Sequence, residues 1–458
     1  MLNAKISICG AFVFMLTSAQ KIMLLTDKHT EHILNRACGC ARYAYNWARQ
    51  TWLNKKKQGI GSVSINSLLK EFNANKTPWM KESPKDAMAQ AIMNFGLAKK
   101  RHYENPKQYG FPKKKKYSSK RSFYITNDHA YIKNGYIKIP KVKNLVRLAE
   151  PLCANCLNGK INNYVISLGS NGKWFVSISY TYDESSVTNY TPNNGLVGID
   201  VGIKTLMRLS SGESVGNPKI FRKHNLALRR YQRRMSRRTK GSTSYKRVKA
   251  RFNKKNAYIA NYRKDLIHKT TTEIARSNCV IAIEDLNVKG MLKNHSLASA
   301  ISDCGFYKIR QFLEYKCEKY GALLLKVDRF FPSSKTCSGC GHVKENLSLS
   351  DREYICEHCG IVLDRDTNAA VNILAEALFT ELENRYHTDL ARREYTPMEI
   401  VALANRSVPV SEPTVCEVQC RTTRKDRMVL VDSLFGSLWN QVAHKGYREC
   451  VENICEAV

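Results

Sequence analysis

Two Cys-x-x-Cys pairs constrain this chain more than any other feature: Cys337-Ser-Gly-Cys340 and Cys356-Glu-His-Cys359, with fifteen residues between them. That is the spacing of a zinc ribbon, in which two tight turns aim four thiolates at one ion. Gly341 and Gly360 stand beside the pairs and suit such turns. Four thiolates close the coordination shell, so the expected Zn2+ is structural and not catalytic. A third pair, Cys153 and Cys156, has no partner pair and reads as incidental. With only four of sixteen cysteines in a paired metal spacing, the chain reads as the product of a reducing compartment.

The second pair runs directly into "GIVLDRDTNAAVNIL". Asp364 and Asp366 are two apart and share a face if that segment is extended. Val371, Leu374 and Leu378 then give a helical stripe. Taken alone, Asp366 reads as a helix N-cap. Two further acids end apolar strands: Asp200 in "LVGID" and Glu284 in "VIAIE". Singly, Asp200 reads as a strand-end turn residue and Glu284 as a surface partner for a lysine. Together they are what a divalent-metal phosphodiesterase requires. Mg2+ prefers oxygen ligands, and two ions about 3.5–4 Å apart serve both the attacking and the leaving oxygen.

Charge points to the substrate. The chain carries 74 Lys+Arg against 39 Asp+Glu, a net +35. Such an excess repels itself in a compact state unless a polyanion neutralises it, and nucleic acid is that polyanion. Residues 222–255, "RKHNLALRRYQRRMSRRTKGSTSYKRVKARFNKK", hold fifteen Lys/Arg and no acid. Two helices broken near Gly241 fit this stretch, and without acidic partners their basic face is expected on a phosphate backbone. Its candidate contacts are Arg229, Arg230, Arg233, Arg234, Arg237 and Arg238. The run "KKKKYSSKR" at 113–121 adds Lys113, Lys114, Lys115 and Lys116 as a phosphate-tracking edge.

Periodicity organises the rest. Residues 26 to about 58 are helical, with Ile33, Ala37, Ala41, Ala44 and Ala48 on one face. A second helix opens at Ser83-Pro84, with serine as the cap and Asp86 in the first turn. Between 112 and 182 the period falls to two, interrupted by Asn-Gly and Gly-Lys turns, so antiparallel strands in a small barrel are expected. Residues 186–195 are a turn-rich linker. Beyond it come strands paired around Gly202, a helix ending near 277, the strand "CVIAIEDL", a helix over about 302–320 stopped by Gly321, and the strand "ALLLKVD". That order implies a parallel pair with a crossover helix. The apolar run at 6–16 fits a buried first strand or a start upstream of Met15 or Met23, and only faintly a signal peptide. It is too short to span a bilayer. A cytoplasmic, nucleoid-associated protein is expected.

The ordered set "GIDVGIKTLMRLSSGE", "IAIEDLNVKGM", "PSSKTCSGCG" and "CEHCGIVLDRDTNAAVNIL", with "GCARYAYNWA" and "GFPKKKK" upstream, resembles the TnpB (OrfB) proteins of insertion-sequence transposons, relatives of type V CRISPR effectors. The resemblance spans residues 21–378. It implies an α/β multidomain fold: an RNase H-like RuvC nuclease domain with a zinc-ribbon insertion, a β-barrel wedge domain and a helical recognition lobe. On this reading residues 1–25 supply the first barrel strand, 26–110 the recognition lobe and 111–185 the wedge barrel. The nuclease occupies 196–330 and 361–378, the ribbon 331–360, and 379–458 form an unassigned tail. The resemblance implies catalytic roles for Asp200, Glu284 and Asp366, with Asp364 auxiliary, two Mg2+ ions and one Zn2+. Its implied partners are a guide RNA from the transposon end and double-stranded target DNA, and its implied activity is RNA-guided DNA cleavage. The alternatives are a non-cleaving RNA-guided repressor and a transposase proper.

Overall fold

The structure is a computed structural model that describes residues 5–8, 11–117, 120–183, 195–348, 350–387 and 395–407, with positions 434, 435, 437 and 438. It divides into two units, Met1–Val187 and Thr188–Val458. Of the turn-rich linker, only Gly195 lies within the described residues.

The first unit packs helices on an antiparallel sheet. Strands β1 (Lys5–Ile8) and β2 (Ala11–Leu25) precede helices α1 (Lys28–Lys57), α2 (Ile65–Ala74), α3 (Pro78–Lys81) and α4 (Lys85–Glu104). Strands β3 (Ser122–Thr126), β4 (Tyr131–Lys133), β5 (Tyr136–Lys138) and β6 (Val146–Leu148) follow, then α5 (Ala154–Asn158), β7 (Lys160–Leu168) and β8 (Trp174–Asp183). The N-terminal apolar run is therefore strand, and β2 pairs with β8 from Met15↔Asp183 to Leu24↔Trp174. The sheet order is β3-β7-β8-β2-β6-β5-β4, with β1 on β2. Its two end strands do not pair with each other among the described residues, so the expected barrel is a half-barrel.

Helix α1 buries Ile33, Ala37, Ala41, Ala44 and Ala48, the anticipated stripe. The Asp27 carboxylate caps it, accepting from the Thr30 amide at 2.6 Å. The cap expected for α4 is different. Its N-cap is Pro84, without a side-chain bond, because Ser83 is buried against α1 with its Oγ 3.1 Å from Cys40 Sγ. Asp86 does more than face the helix terminus. It accepts from the Thr126 amide at 3.1 Å and meets His129 Nδ1 at 2.8 Å, so it ties α4 to β3 and the turn that follows it.

The second unit is built on a five-stranded mixed sheet. Its strands are β9 (Gly195–Asp200), β10 (Thr205–Leu209), β11 (Ser214–Gly216), β12 (Asn278–Glu284) and β13 (Leu323–Val327), ordered β11-β10-β9-β12-β13. Strand β10 runs antiparallel to β9 and β11, whereas β12 runs parallel to β9 and β13. Helices α6 (Ile220–Ser236) and α7 (Thr243–Ser277) connect β11 to β12. The expected break at Gly241 is present, at φ +93°. The second basic helix and the helix ending near 277 are one continuous α7.

The crossover from β12 to β13 carries α8 (Val288–Met291), α9 (Ala298–Cys304) and α10 (Phe306–Tyr320). Gly305 and Gly321, both at φ +73°, divide and end it, so the single helix expected over 302–320 is two. After β13 comes the cysteine loop with the hairpin β14 (Glu353–Ile355) and β15 (Val362–Asp364), then α11 (Arg365–Tyr386) and α12 (Pro397–Ser407). Helix α11 runs past the expected limit at 378. Its apolar residues share a core with β12 and with Ile400, Ala404, Leu434, Phe435 and Leu438. Part of the unassigned tail is thus built into the core of the second unit, because α11 is apolar over more than one face.

Candidate active site and metal centre

Asp200 and Glu284 end neighbouring parallel strands. The register pairs Ile199 with Ile283, so the next residue on each strand is one of the two acids, at the same sheet edge. Both chains are apolar up to that point, with Val197, Ile199, Ile281 and Ile283 buried. The carboxyl ends of parallel strands are where open α/β sheets bind their ligands. Asp366 reaches the same edge from the first turn of α11. Burial first, then the charges of Glu284 and Asp366, push the Asp200 carboxyl up to about 7. Glu284 is also raised by burial, against a 2.5 Å hydrogen bond donated by Ser333 Oγ. Three acids from distant parts of the sequence therefore share one electrostatic field.

What brings α11 close enough is Gly198. A Cβ there would lie 2.0 Å from the Ala370 carbonyl oxygen and 2.9 Å from Leu374 Cβ. Only glycine lets the helix backbone rest on the centre of β9, and Asp366 sits one turn earlier on that helix.

Asp364 behaves differently from Asp366. Its carboxylate is the N-cap of α11, accepting from the Thr367 amide at 2.9 Å and the Thr367 hydroxyl at 3.0 Å. It also pairs with Arg208 Nη2 at 3.1 Å. Burial pushes this acid up, but the Thr367 and Arg208 contacts outweigh it and hold Asp364 below its ordinary range. The cap role expected for Asp366 thus belongs to Asp364. The two do not share an extended strand, because β15 ends and α11 begins between them.

The four cysteines lie together, with ligand atoms all within 4.8 Å of one another. Cys337 Sγ is 3.7 Å from Cys359 Sγ, and Cys340 Sγ is 3.6 Å from Cys356 Sγ. These distances are far beyond a disulfide. A tetrahedron with metal–sulfur bonds of about 2.3 Å has edges of about 3.8 Å, so the cluster is sized for one ion. The two turns are built alike. The Gly341 amide donates to the Cys337 carbonyl and the Gly360 amide to the Cys356 carbonyl, at 2.8 and 3.1 Å, and both glycines have positive φ.

Asn368 and Asn372 join this centre to the acids, and sequence reasoning missed both. Each is fully buried on α11. Asn368 Nδ2 donates to the Thr336 carbonyl at 2.7 Å, and its Oδ1 accepts from the Ser338 amide at 2.9 Å. Asn372 Nδ2 donates to the carbonyls of Ser333 and Thr336, at 2.8 and 2.6 Å. Ser333 in turn holds Glu284. The available signal was two poor helix formers spaced i, i+4 inside an apolar helix, where only a demand for polar partners explains them.

The basic residues stand as follows. Arg229, Arg230, Arg233 and Arg234 lie on α6 and, with Arg237, are exposed; Arg238 is half-buried. None of the six pairs with an acid among the described residues. Lys113, Lys114, Lys115 and Lys116 lie on an irregular strap against α1. Asn46 bonds the Lys115 backbone at 2.8 and 3.0 Å, and Arg49 Nε donates to the Pro112 carbonyl.

Comparison with known proteins places this architecture. A Streptomyces pristinaespiralis protein named "Putative RNA-guided DNA endonuclease" is 34% identical over 352 residues, covering 75% of this chain and 85% of that one. The Escherichia coli K12 protein named "Putative RNA-guided DNA endonuclease InsQ" is 30% identical over 377 residues, covering 78% and 91%. The OrfB_IS605 model, described as "Probable transposase", matches residues 177–295, and the "Cas12f1-like, TNB domain" model matches 306–373. The chain belongs to the TnpB (OrfB) family. In this TnpB protein the matched stretch 306–373 includes all four cysteines and both Asp364 and Asp366. A solved Cas12f1–sgRNA–target DNA complex aligns at a TM-score of 0.48 and 15% identity, over 78% of this chain and 98% of that one. No helix among the described residues of this TnpB protein is long and apolar enough to cross a membrane.

Proposed function

We propose that this TnpB protein is an RNA-guided DNA endonuclease that cuts phosphodiester bonds at Asp200, Glu284 and Asp366. The observation that carries this reading is the Asp200 carboxyl. Burial first, and then the charges of Glu284 and Asp366 beside it, raise it to about 7, so the two other acids converge on it. Half-buried carboxylates, two of which raise the third, call for cations, and an all-oxygen set suits Mg2+. Asp200, Glu284 and Asp366 would hold it. When bound, such ions activate water and stabilise the departing oxygen of a phosphodiester.

The protein's own contribution is positioning. Gly198 seats α11, Ser333 orients Glu284, and Asp364 with Arg208 fixes the start of α11 so that Asp366 stays free for the pocket. The β11-β10-β9-β12-β13 order, in chain order 3-2-1-4-5 with the last two strands parallel to the first, supports an RNase H-like RuvC domain. The four cysteines fit a structural Zn2+. The half-barrel and helices of the first unit are assigned as wedge domain and recognition lobe.

The guide RNA of the transposon end and double-stranded target DNA are the assigned partners. Base pairing supplies sequence specificity while the protein grips backbone. Arg229, Arg230, Arg233, Arg234, Arg237 and Arg238, with the 113–116 lysines, are assigned to phosphates, and neutralising any one of them should lower the salt dependence of binding. A plasmid bearing the target, the native guide RNA and Mg2+ tests the reading. Wild type cuts; Asp200→Ala, Glu284→Gln and Asp366→Ala do not. Cutting by Asp200→Ala at the wild-type rate removes it. The non-cleaving alternative gains nothing here, since all three acids are present and converge.

A further inference from the structure

Between β13 and the first cysteine turn the chain presents Phe330, 85% exposed. One exposed apolar residue is ordinary on a protein surface; its setting is not. The backbone around it is fixed, with the Phe330 amide on Asp328 Oδ1 at 2.8 Å, the Phe331 amide on the Asp328 carbonyl at 3.2 Å, and the Ser333 amide on the Phe331 carbonyl at 2.8 Å. Ser333, three residues on, is bonded to both Glu284 and Asn372. Chain length alone keeps the Phe330 Cα within about 11 Å of the Ser333 Cα. The ring is thus held out to solvent on a rigid turn beside the acidic cluster.

Arg329, the preceding residue, donates to Asp285 Oδ2 at 2.8 Å, and Arg310 of α10 donates to Asp285 Oδ1. Arg310 also comes within 3.7 Å of Glu314. One carboxylate thereby orients two guanidiniums, each with donors to spare and side chains 32% and 39% exposed. They line a cavity of about 420 Å³ together with Glu284, Lys289 and Tyr307. Cationic forks next to an aromatic face are what single-stranded nucleic acid binds: phosphates on the former, a base stacked on the latter.

We propose that Phe330 is a positioning residue on which one base of the DNA strand entering the carboxylate cluster stacks, while Arg310 and Arg329, oriented by Asp285, hold the adjoining phosphates. This rests on the nuclease reading, and the test separates the two. The guide-loaded Asp200→Ala protein is mixed with target DNA carrying 2-aminopurine at successive positions near the cut. Stacking on Phe330 quenches one position; Phe330→Ala added to that background restores its fluorescence and weakens binding of the single strand about tenfold. Phe330→Trp keeps both. In the Asp200-intact protein, Phe330→Ala raises KM for single-stranded substrate about tenfold more than it lowers kcat, with an unchanged melting temperature. Equal quenching with and without the ring overturns the proposal, as does quenching confined to 2-aminopurine in the guide RNA. Failure of wild type to cut would sink the nuclease reading instead, because the fluorescence measurement does not depend on cleavage.

Discussion

Gly198 of β9 lies directly beneath the Ala370 carbonyl of α11, too close for any side chain. Gly198→Ala forces the helix off the sheet. Overpacking of this kind costs about 1–3 kcal/mol, and here it also withdraws Asp366 from Asp200. We expect a melting temperature lower by several degrees together with plasmid cleavage reduced at least about a hundredfold, more than the stability loss explains. Cleavage at wild-type rate in a folded Gly198→Ala protein would contradict this account of the site.

Asn372 supports Glu284 only through Ser333, so its removal separates support from chemistry. Asn372→Ala strands the Ser333 carbonyl, while Thr336 keeps its bond from Asn368, at about 1–3 kcal/mol, and should slow cleavage about 10- to 100-fold without changing guide RNA affinity. Single-turnover cutting and an RNA-binding isotherm measure the two effects.

Asp200 carries a destabilising charge in the metal-free chain. Its folded pKa, about 7, lies above the ordinary value of 3.8. Between those values the folded state binds the extra proton, so stability falls as pH rises through that window. Asp200→Asn is therefore expected to melt at a higher temperature than wild type at pH 8 in EDTA, to match it more closely at pH 4, and to be inactive. Calorimetric melts at the two pH values decide it.

His268 works in the opposite sense. Burial, then Lys316, Lys264 and Lys308 against an opposing Asp265, lower it from 6.5 to about 4, and its ring stacks on Phe312 at 4.0 Å. The unfolded chain takes up the proton first as pH falls. Stability is then full above 6.5 and declines toward 4. His268→Phe keeps the stack and should flatten that decline in denaturant midpoints.

Cys356→Ser and strong chelation should act alike. Either loosens the loop that carries Ser333, so cleavage falls with the metal content of the protein, and metal analysis of wild type should return one zinc per chain.

Much of the site is legible in the amino-acid order alone. Asp200 and Glu284 are marked by apolar strands that stop at an acid, and the paired cysteines announce their own cluster. Local patterns fail where tertiary contacts override them. Ser83 looks like a cap but is buried against Cys40; Asp364, and not Asp366, caps α11 because β15 delivers its carboxylate to the Thr367 amide. Gly305 splits a helix that periodicity joins. The continuation of α11 to Tyr386 is hidden because its apolar residues point in several directions and give no single stripe.

The two buried asparagines of α11 have a wider consequence. The cysteine loop hangs from the helix that also delivers an acid to the pocket, so it is no detachable module. Grafted onto another scaffold without Asn368 and Asn372, it would lose its mooring, and a shift of its turns in this chain would be felt at Glu284 within a few bonds. The outer hairpin is tied in as well, since its turn carries Cys356 and Cys359 and its second strand ends at the Asp364 cap, so both turns must move as one body with the helix.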